Sequence, residues 1–256
     1  MNTDKTTFLS PPSETSMGEE WFEIATPTHF WMKRRFRVLS KLASALISDS
    51  ENLAEIGCGN GVLQYQIENA YSKTVDGYDL NSVALGRTIA RKSRTFCYDI
   101  SDRLPSLENK YDLIFLFDVI EHISDENDFI NKLLFHLKPG GWLIINVPAI
   151  NRLYSGYDAA VGHIRRYSIN SLNTLGRNCD LIPKKVIYWG LPLLPMLLVR
   201  KFLIPTGDFG NQKILQRGFA PPNPFIDKFL YCLSSVESIK VNPIGTSVMG
   251  IYQKPL

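Results

Sequence analysis

At 256 residues the chain is long enough to bury a full core, and its 45% hydrophobic and 21% charged residues are ordinary for a globular protein. A net charge of +3 is too small to mark a nucleic-acid binder, which usually shows a concentrated basic stripe, and no run of about twenty apolar residues exists to span a bilayer. The four cysteines, Cys58, Cys97, Cys179 and Cys232, form no Cys-x-x-Cys pair, which argues against zinc or a disulfide framework and fits a reducing cytoplasm.

Residues 1–17 are polar, with Pro11 and Pro12, and read as a mobile leader without a signal peptide. Residues 18–49 carry Trp21, Phe22, Phe30, Trp31, Phe36 and Leu39 among basic residues and predict helices divided at Pro27. Asn52–Ile56 predicts a strand that runs straight into Gly57-Cys-Gly-Asn-Gly61, with a helix from Val62 to Ala70 behind it. A strand over Thr74–Asp79, a helix over Ser82–Lys92 and a strand over Phe96–Asp99 follow. Tyr111–Phe117 is nearly continuous apolar sequence, as in a strand covered on both faces. Asp128–Leu137 predicts a helix stopped by Lys138-Pro-Gly-Gly141, and Trp142–Val147 a fifth strand.

This alternation predicts an α/β fold, a mostly parallel sheet with helices on both faces. Lys184–Tyr188 and Ser247–Gln253 are expected late strands, so residues 50–189 and 243–256 would form the main domain and 190–242 a cap or insertion. Within the cap, Gly190–Pro205 is the most apolar stretch, and Lys213, Arg217 and Lys228 lie nearby. It would either complete the core or make peripheral contact with an anionic membrane through 190–205.

The glycine loop permits close approach of backbone to a ligand, since a Cβ there would clash. Its third glycine comes one residue too early for the dinucleotide pattern GxGxxG. Asp79 ends the second strand, twenty-two residues after Gly57, where a carboxylate can accept both hydroxyls of a ribose. Asp99 ends the third strand and Asp118 follows the fourth. Any one of these acids could be a helix cap or a solvated loop acid. Their recurrence at strand ends points to a nucleoside crevice.

Together, Glu55-Ile-Gly-Cys-Gly-Asn-Gly61, Asp79, Asp99, Asp118-Val-Ile-Glu-His122 and Leu137-Lys-Pro-Gly-Gly-Trp142 resemble the ordered motifs of class I S-adenosylmethionine-dependent methyltransferases. The similarity covers about residues 50–150, with the pattern of a bacterial small-molecule subgroup similar to ubiquinone-biosynthesis O-methyltransferases. It implies a Rossmann-like, seven-stranded sheet whose last strand is antiparallel, with S-adenosylmethionine as cofactor and S-adenosylhomocysteine as product. Gly57 and Gly59 would pass under the methionine moiety with Glu55 supporting the loop, and Asp79 would bind ribose. Asp99 and Ile100 would border adenine, Asp118 would sit near the methyl end, and Cys58 and Leu80 would join the cofactor contacts. Phe30-Trp-Met-Lys-Arg-Arg35 resembles an aromatic-arginine motif in a segment, here 18–49, that covers the cofactor site. Trp31 would join the cofactor contacts there, and Arg35 or Arg34 would pair with the methionine carboxylate. The alternative is an amphipathic helix with a basic solvent face.

The loop after the fifth strand concentrates Tyr154, Tyr157, Asp158, His163, Arg165, Arg166 and Tyr167, unusual for a mere connection. His163 is the candidate general base, oriented by Asp158, because histidine titrates near neutrality. Arg165 or Arg166 would bind an anionic part of the acceptor, with the three tyrosines lining its site. Alternatively, the same residues tie the loop to the domain. Asp118-x-x-Glu121-His122 resembles a run that contributes to a divalent metal site in ubiquinone-biosynthesis O-methyltransferases. With Asp in place of the first Glu, no metal is expected. His136 is expected to be structural. The acceptor reads as a small molecule methylated at oxygen, of glycan, quinone-like or lipid-linked type, and not a nucleic acid. A nicotinamide-dependent Rossmann enzyme and a catalytically silent cofactor-binding module are the alternatives. The early third glycine and the Lys-Pro-Gly-Gly turn argue against the first, and the dense polar loop against the second.

Overall fold

The structure is a computed structural model and describes residues 6–13, 19–203, 223–235 and 242–256. Its strands are β1 (Thr6–Phe8), β2 (Leu53–Ile56), β3 (Asp76–Asp79), β4 (Thr95–Cys97), β5 (Tyr111–Phe117), β6 (Leu137–Pro148), β7 (Ile182–Trp189) and β8 (Ser247–Gln253). They form one sheet in the order β1-β4-β3-β2-β5-β6-β8-β7. Pairing is parallel from β1 through β6, and β8 runs antiparallel to both β6 and β7. The helices are α1 (Glu19–Ile24), α2 (Phe30–Asp49), α3 (Val62–Tyr71), α4 (Ser82–Gly86), α5 (Glu126–Leu134), α6 (Gly156–Ala160), α7 (Ile169–Asn178), α8 (Leu194–Leu203) and α9 (Pro224–Ser235).

The apolar run of β5 is explained by burial on both faces of the sheet. Ile114 and Leu116 point into one core with Ile130, Leu133, Leu172 and Leu175 of α5 and α7. Leu113, Phe115 and Phe117 point into the other, with Val38, Leu39, Ala43 and Ile47 of α2 and Leu63 and Ile67 of α3. The period of two along the strand meets a helical period on each side. This is the expected α/β architecture, with one strand more than the seven foreseen.

The additional strand is β1. Thr6–Phe8, expected within a mobile leader, pair with Thr95–Cys97 at the sheet edge. Ser82–Lys92 is helical only to Gly86. Beyond it the Glu68 carboxylate accepts the N–H groups of Arg91, Lys92 and Ser93 at 2.9, 2.9 and 2.6 Å, a competing arrangement for backbone donors that a helix would use internally. Helix α5 starts at Glu126, because Asp125 accepts from the Asp128 N–H at 3.0 Å and caps it. Lys138-Pro-Gly-Gly141, expected as a turn, lies inside β6. There the register with β5 shifts between Tyr111 and Leu113, Gly140 takes φ +74°, and Lys254 pairs backbone with Gly140 and Gly141. The stop signal has become an irregularity that the C-terminal residues satisfy.

Of the expected cap, α8 and α9 are described, while Pro205, Lys213 and Arg217 lie outside the described residues. Leu193 and Leu197 are buried, whereas Leu198 and Val199 are exposed. Arg200 lies over the Tyr157 ring at 4.0 Å, and Asp227 of α9 accepts the Phe30 N–H at 2.7 Å. Among the described residues no helix is long and apolar enough to cross a membrane.

Candidate functional site

Strands β3 and β5 lie on opposite sides of β2, so the chain reverses direction across the sheet there. A crevice opens beyond the carboxyl ends of these strands. It holds a cavity of about 430 Å³. Its floor is the loop after β2, where Gly57 and Gly59 adopt φ +76° and +52°. A Cβ on Gly57 would lie 2.3 Å from Val119, so only glycine fits that close approach.

Each strand end contributes an acid. Asp79 accepts the Gly59 N–H through Oδ2 and the Asn81 N–H through Oδ1, both at 2.8 Å, fixing the glycine loop against the start of α4. Burial raises its pKa, against the pull of those donors. Asp99 accepts the Ser101 N–H at 2.8 Å. Glu55 is 3% exposed, and its Oε2 has no hydrogen-bond partner among the described residues. Burial, only partly offset by Arg35, pushes its carboxyl up to about 8.

Asp118 stands in the left-handed region at φ +57°, rare for a residue with a side chain. Arg35 Nη1 donates to its Oδ2 at 2.6 Å and Asn146 Nδ2 to its Oδ1 at 2.9 Å. Burial raises this carboxyl while Arg35 opposes the rise. Arg35 in turn lies 5.0 Å from the Trp31 ring and 5.1 Å from that of Phe117.

Glu55, Gly57, Cys58, Gly59, Asp79 and Leu80 all line the cavity, and so do Asp99, Ile100, Asp118 and Arg35. Trp31 does not. Its ring packs on Trp189 at 5.6 Å and supports Arg35 from behind. Phe22, Ala25, Met32 and Asn60 also line the cavity and were not singled out from sequence. A lone aromatic or apolar residue such as Phe22, Ala25 or Met32 carries no signal of its own, whereas Asn60 stands inside the glycine loop.

The loop after β6 lies beside the Asp118 end. His163 Nδ1–H donates to Asp158 Oδ1 at 3.0 Å, which leaves Nε2 as the basic nitrogen of the neutral ring. Asp158 also accepts from Arg166 Nε and Nη2 at 2.8 and 2.7 Å and from the Ser155 N–H at 2.9 Å. Burial opposes its ionisation, but the His163 hydrogen bond and the Arg166 charge hold it well below the usual carboxylate range. His163 Nε2 is 3.8 Å from Glu121 Oε1, and its ring centroid is 4.9 Å from that of His122, which lines the cavity. Glu121 is fully buried, and neither carboxyl oxygen has a hydrogen-bond partner among the described residues. Burial and the neighbouring Asp118 push its carboxyl well up, and burial takes His122 down to about 4.

The expected acceptor residues are engaged inside the domain, and none lines the cavity. Tyr154 donates to the His163 carbonyl at 2.7 Å, and Arg165 pairs with Glu126 at 2.9 Å. Tyr167 is buried and donates to Ile120 O at 3.3 Å and to Glu126. Tyr157 is buried under Arg200. Asp118, Glu121 and His122 do not gather as one set. Among the described residues, the metal-capable atoms within 4.8 Å of one another are those of Glu121, His122 and His163. His136 is structural, meeting the Tyr98 hydroxyl at 2.9 Å in the core.

Residues 29–181 match a family described as a methyltransferase domain. The chain is 26% identical over 152 residues to a tRNA U34 carboxymethyltransferase of Campylobacter curvus, covering 52% of this chain and 51% of that protein. It is 28% identical over 121 residues to a ubiquinone biosynthesis O-methyltransferase of Hydrogenovibrio crunogenus, covering 44% and 48%. It thus spans about half the length of these curated relatives. Among solved structures it resembles phosphoethanolamine N-methyltransferase 2 of Haemonchus contortus in complex with S-adenosyl-L-methionine. That match has a TM-score of 0.59 at 17% identity and covers 88% of this chain and 53% of that one.

Proposed function

The chain belongs to the methyltransferase domain family, of the S-adenosylmethionine-dependent class, and on that footing we propose that it transfers a methyl group to an oxygen of a small-molecule acceptor. One observation carries this reading: a single cavity collects the glycine loop and the acids Glu55, Asp79, Asp99 and Asp118 from four successive strand ends. In this reading Asp79 takes the ribose hydroxyls and Asp99 with Ile100 the adenine. Arg35 offers its charge to the methionine carboxylate, and Asp118 borders the sulfonium.

The acceptor approaches from the His122 and His163 side. His163 Nε2 takes the proton as the acceptor oxygen forms its bond to the methyl carbon. The carbon–sulfur bond breaks, and its electron pair stays on sulfur to give S-adenosylhomocysteine. Asp158 fixes the tautomer and stabilises the imidazolium that results. Supporting this role, the Nδ1 side of His163 is occupied and its ring lies 4.9 Å from that of His122, which lines the cavity. Arg166 acts as an anchor of Asp158 rather than as a ligand of the acceptor.

The test offers methyl-labelled S-adenosylmethionine with two acceptor pools, a small-molecule extract and bulk tRNA, to wild type and to His163→Ala. Label in the small-molecule pool, lost in the variant while S-adenosylhomocysteine still binds, is the expected result. Label in tRNA would move the acceptor to the class named for the Campylobacter relative. Full turnover in His163→Ala would remove the base role.

A further inference from the structure

Helix α8 is apolar along most of its length, yet its last turn carries Arg200 and Lys201, and both reach back to the loop after β6. Lys201 Nζ donates to the Arg152 carbonyl in the turn Asn151–Leu153. The Arg200 guanidinium lies over the Tyr157 ring at 4.0 Å. Burial lowers the Arg200 guanidinium from its ordinary value and pushes the Tyr157 hydroxyl up, so a charged group rests on the face of a neutral ring. Out of water, such a stack is stronger than at an exposed surface.

Tyr157 stands beside Asp158 on α6, a helix of five residues, too few to hold a direction unaided. The Asp158 carboxylate is divided between two tasks. Its Oδ2 accepts the Ser155 N–H at 2.9 Å and the Ser155 hydroxyl at 3.1 Å, closing the start of α6, whereas its Oδ1 accepts His163 Nδ1–H at 3.0 Å. The His163 N–H also donates to the Asp158 carbonyl at 2.8 Å. His163 is thus tied to α6 through backbone and ring, and a rotation of α6 would move the imidazole. Burial opposes ionisation of Asp158, and Arg200 adds its charge to the His163 hydrogen bond and the Arg166 charge that overcome it. Neither Arg200 nor Tyr157 lines the cofactor cavity.

We propose that Arg200 is a positioning residue for methyl transfer: its stack on Tyr157 fixes the direction of α6, and through Asp158 the direction of the His163 imidazole. The proposal rests on the reading of His163 as the base. It gives α8 a share in the chemistry, because that helix aims the nitrogen that takes the acceptor's proton without touching the cofactor cavity. Loss of the stack leaves the cavity intact and misaligns the base, and misalignment is costly in rate even when the altered residue is remote from the reacting atoms.

Arg200→Met removes the charge and the planar fork while keeping much of the apolar stem, and three measurements on the full chain test it. Calorimetry should show S-adenosylhomocysteine binding unchanged from wild type. The proton NMR signal of His163 Nδ1–H, identified by its absence in His163→Gln, should be lost or shifted in Arg200→Met, while that of the core His136 ring stays in place. Methyl label should move from S-adenosylmethionine into the pool that wild type labels, small-molecule extract or tRNA, about tenfold more slowly or worse. In the His163→Gln background, Arg200→Met should cause no further loss, because the two residues act as one unit. Arg200→Lys, which keeps the charge without the fork, should shift each reading in the same direction and supplies them if Arg200→Met does not fold. An unmoved His163 signal, weakened S-adenosylhomocysteine binding, or an equal fold-loss of label transfer in both backgrounds overturns the positioning role and leaves the base reading intact. Full label transfer by His163→Gln overturns both.

Discussion

Arg35 Nη1 and Asp118 Oδ2 meet at 2.6 Å, joining α2 to the carboxyl end of β5 through a pair whose side chains are only 8% and 20% exposed. The pair belongs to a closed ring of contacts. Asp118 accepts from Asn146, Asn146 accepts from Trp189 Nε1 at 2.9 Å, Trp189 packs on Trp31, and Trp31 supports Arg35. Each member limits the next, so an unusual backbone at Asp118 is held in one orientation.

Removing one partner should therefore be costly. Arg35→Ala leaves the Asp118 carboxyl buried without its counter-charge, and denaturant unfolding should show a loss of about 3 kcal/mol. Trp31→Ala should weaken S-adenosylmethionine binding less than Arg35→Ala does, since Trp31 is outside the cavity lining. Equal losses from the two would mean that Arg35 has no contact with the cofactor.

Glu55 makes stability depend on pH in a defined direction. Its carboxyl is raised from 4.5 to about 8 in the folded protein, so between those values the folded state holds a proton that the unfolded chain has released. Stability of the ligand-free protein should fall as pH rises through that window, by up to ~1.4 kcal/mol per pH unit for this group. Glu55→Gln should flatten the slope between pH 5 and pH 8, as read from urea midpoints. A slope identical to wild type would place the burial cost elsewhere, Glu121 being the other carboxyl pushed well up.

The loop that carries His163 separates chemistry from support. In His163→Gln, turnover should drop about a hundredfold or more with S-adenosylhomocysteine affinity retained. Asp158→Ala should instead destabilise the fold by about 3 kcal/mol, because it strips the buried Arg166 of its partner and α6 of its capping box. A His163 variant that loses thermal stability but not turnover would make the histidine a tie of the loop.

A metal requirement is decided by chelation. With no metal needed, the enzyme keeps its activity after treatment with a strong chelator and dialysis. Activity lost and then restored by magnesium or manganese would assign a cation to the Glu121, His122 and His163 group.

The sheet was legible because period and length agree with burial. Tyr111–Phe117 reads as a strand covered twice and is one, and the acids Asp79, Asp99 and Asp118 fall at strand ends that face one cavity. What escaped depended on partners distant in sequence. Thr6–Phe8 is too short to announce itself and becomes a strand by pairing with Thr95–Cys97. The helix after Ser82 ends at Gly86, and the donors beyond its last turn go to distant partners, that of Ile89 to the Asn60 carbonyl and those of Arg91, Lys92 and Ser93 to Glu68 on another helix. Trp31 was expected at the cofactor, since an aromatic beside an arginine does not reveal which of the two faces the cavity. Tyr154, Tyr157, Arg165, Arg166 and Tyr167 drew attention by chemical type, whereas their geometry is that of a loop held in place.

The central claim is that this cavity holds S-adenosylmethionine. Calorimetric titration of wild type and Asp79→Asn with S-adenosylmethionine, S-adenosylhomocysteine and NADH tests it most directly. The expected result is binding of the first two, at least about tenfold weaker in Asp79→Asn because a carboxylate no longer takes the ribose hydroxyls, with no binding of NADH. A folded wild type that binds neither S-adenosyl compound, or that binds NADH in their place, would contradict it.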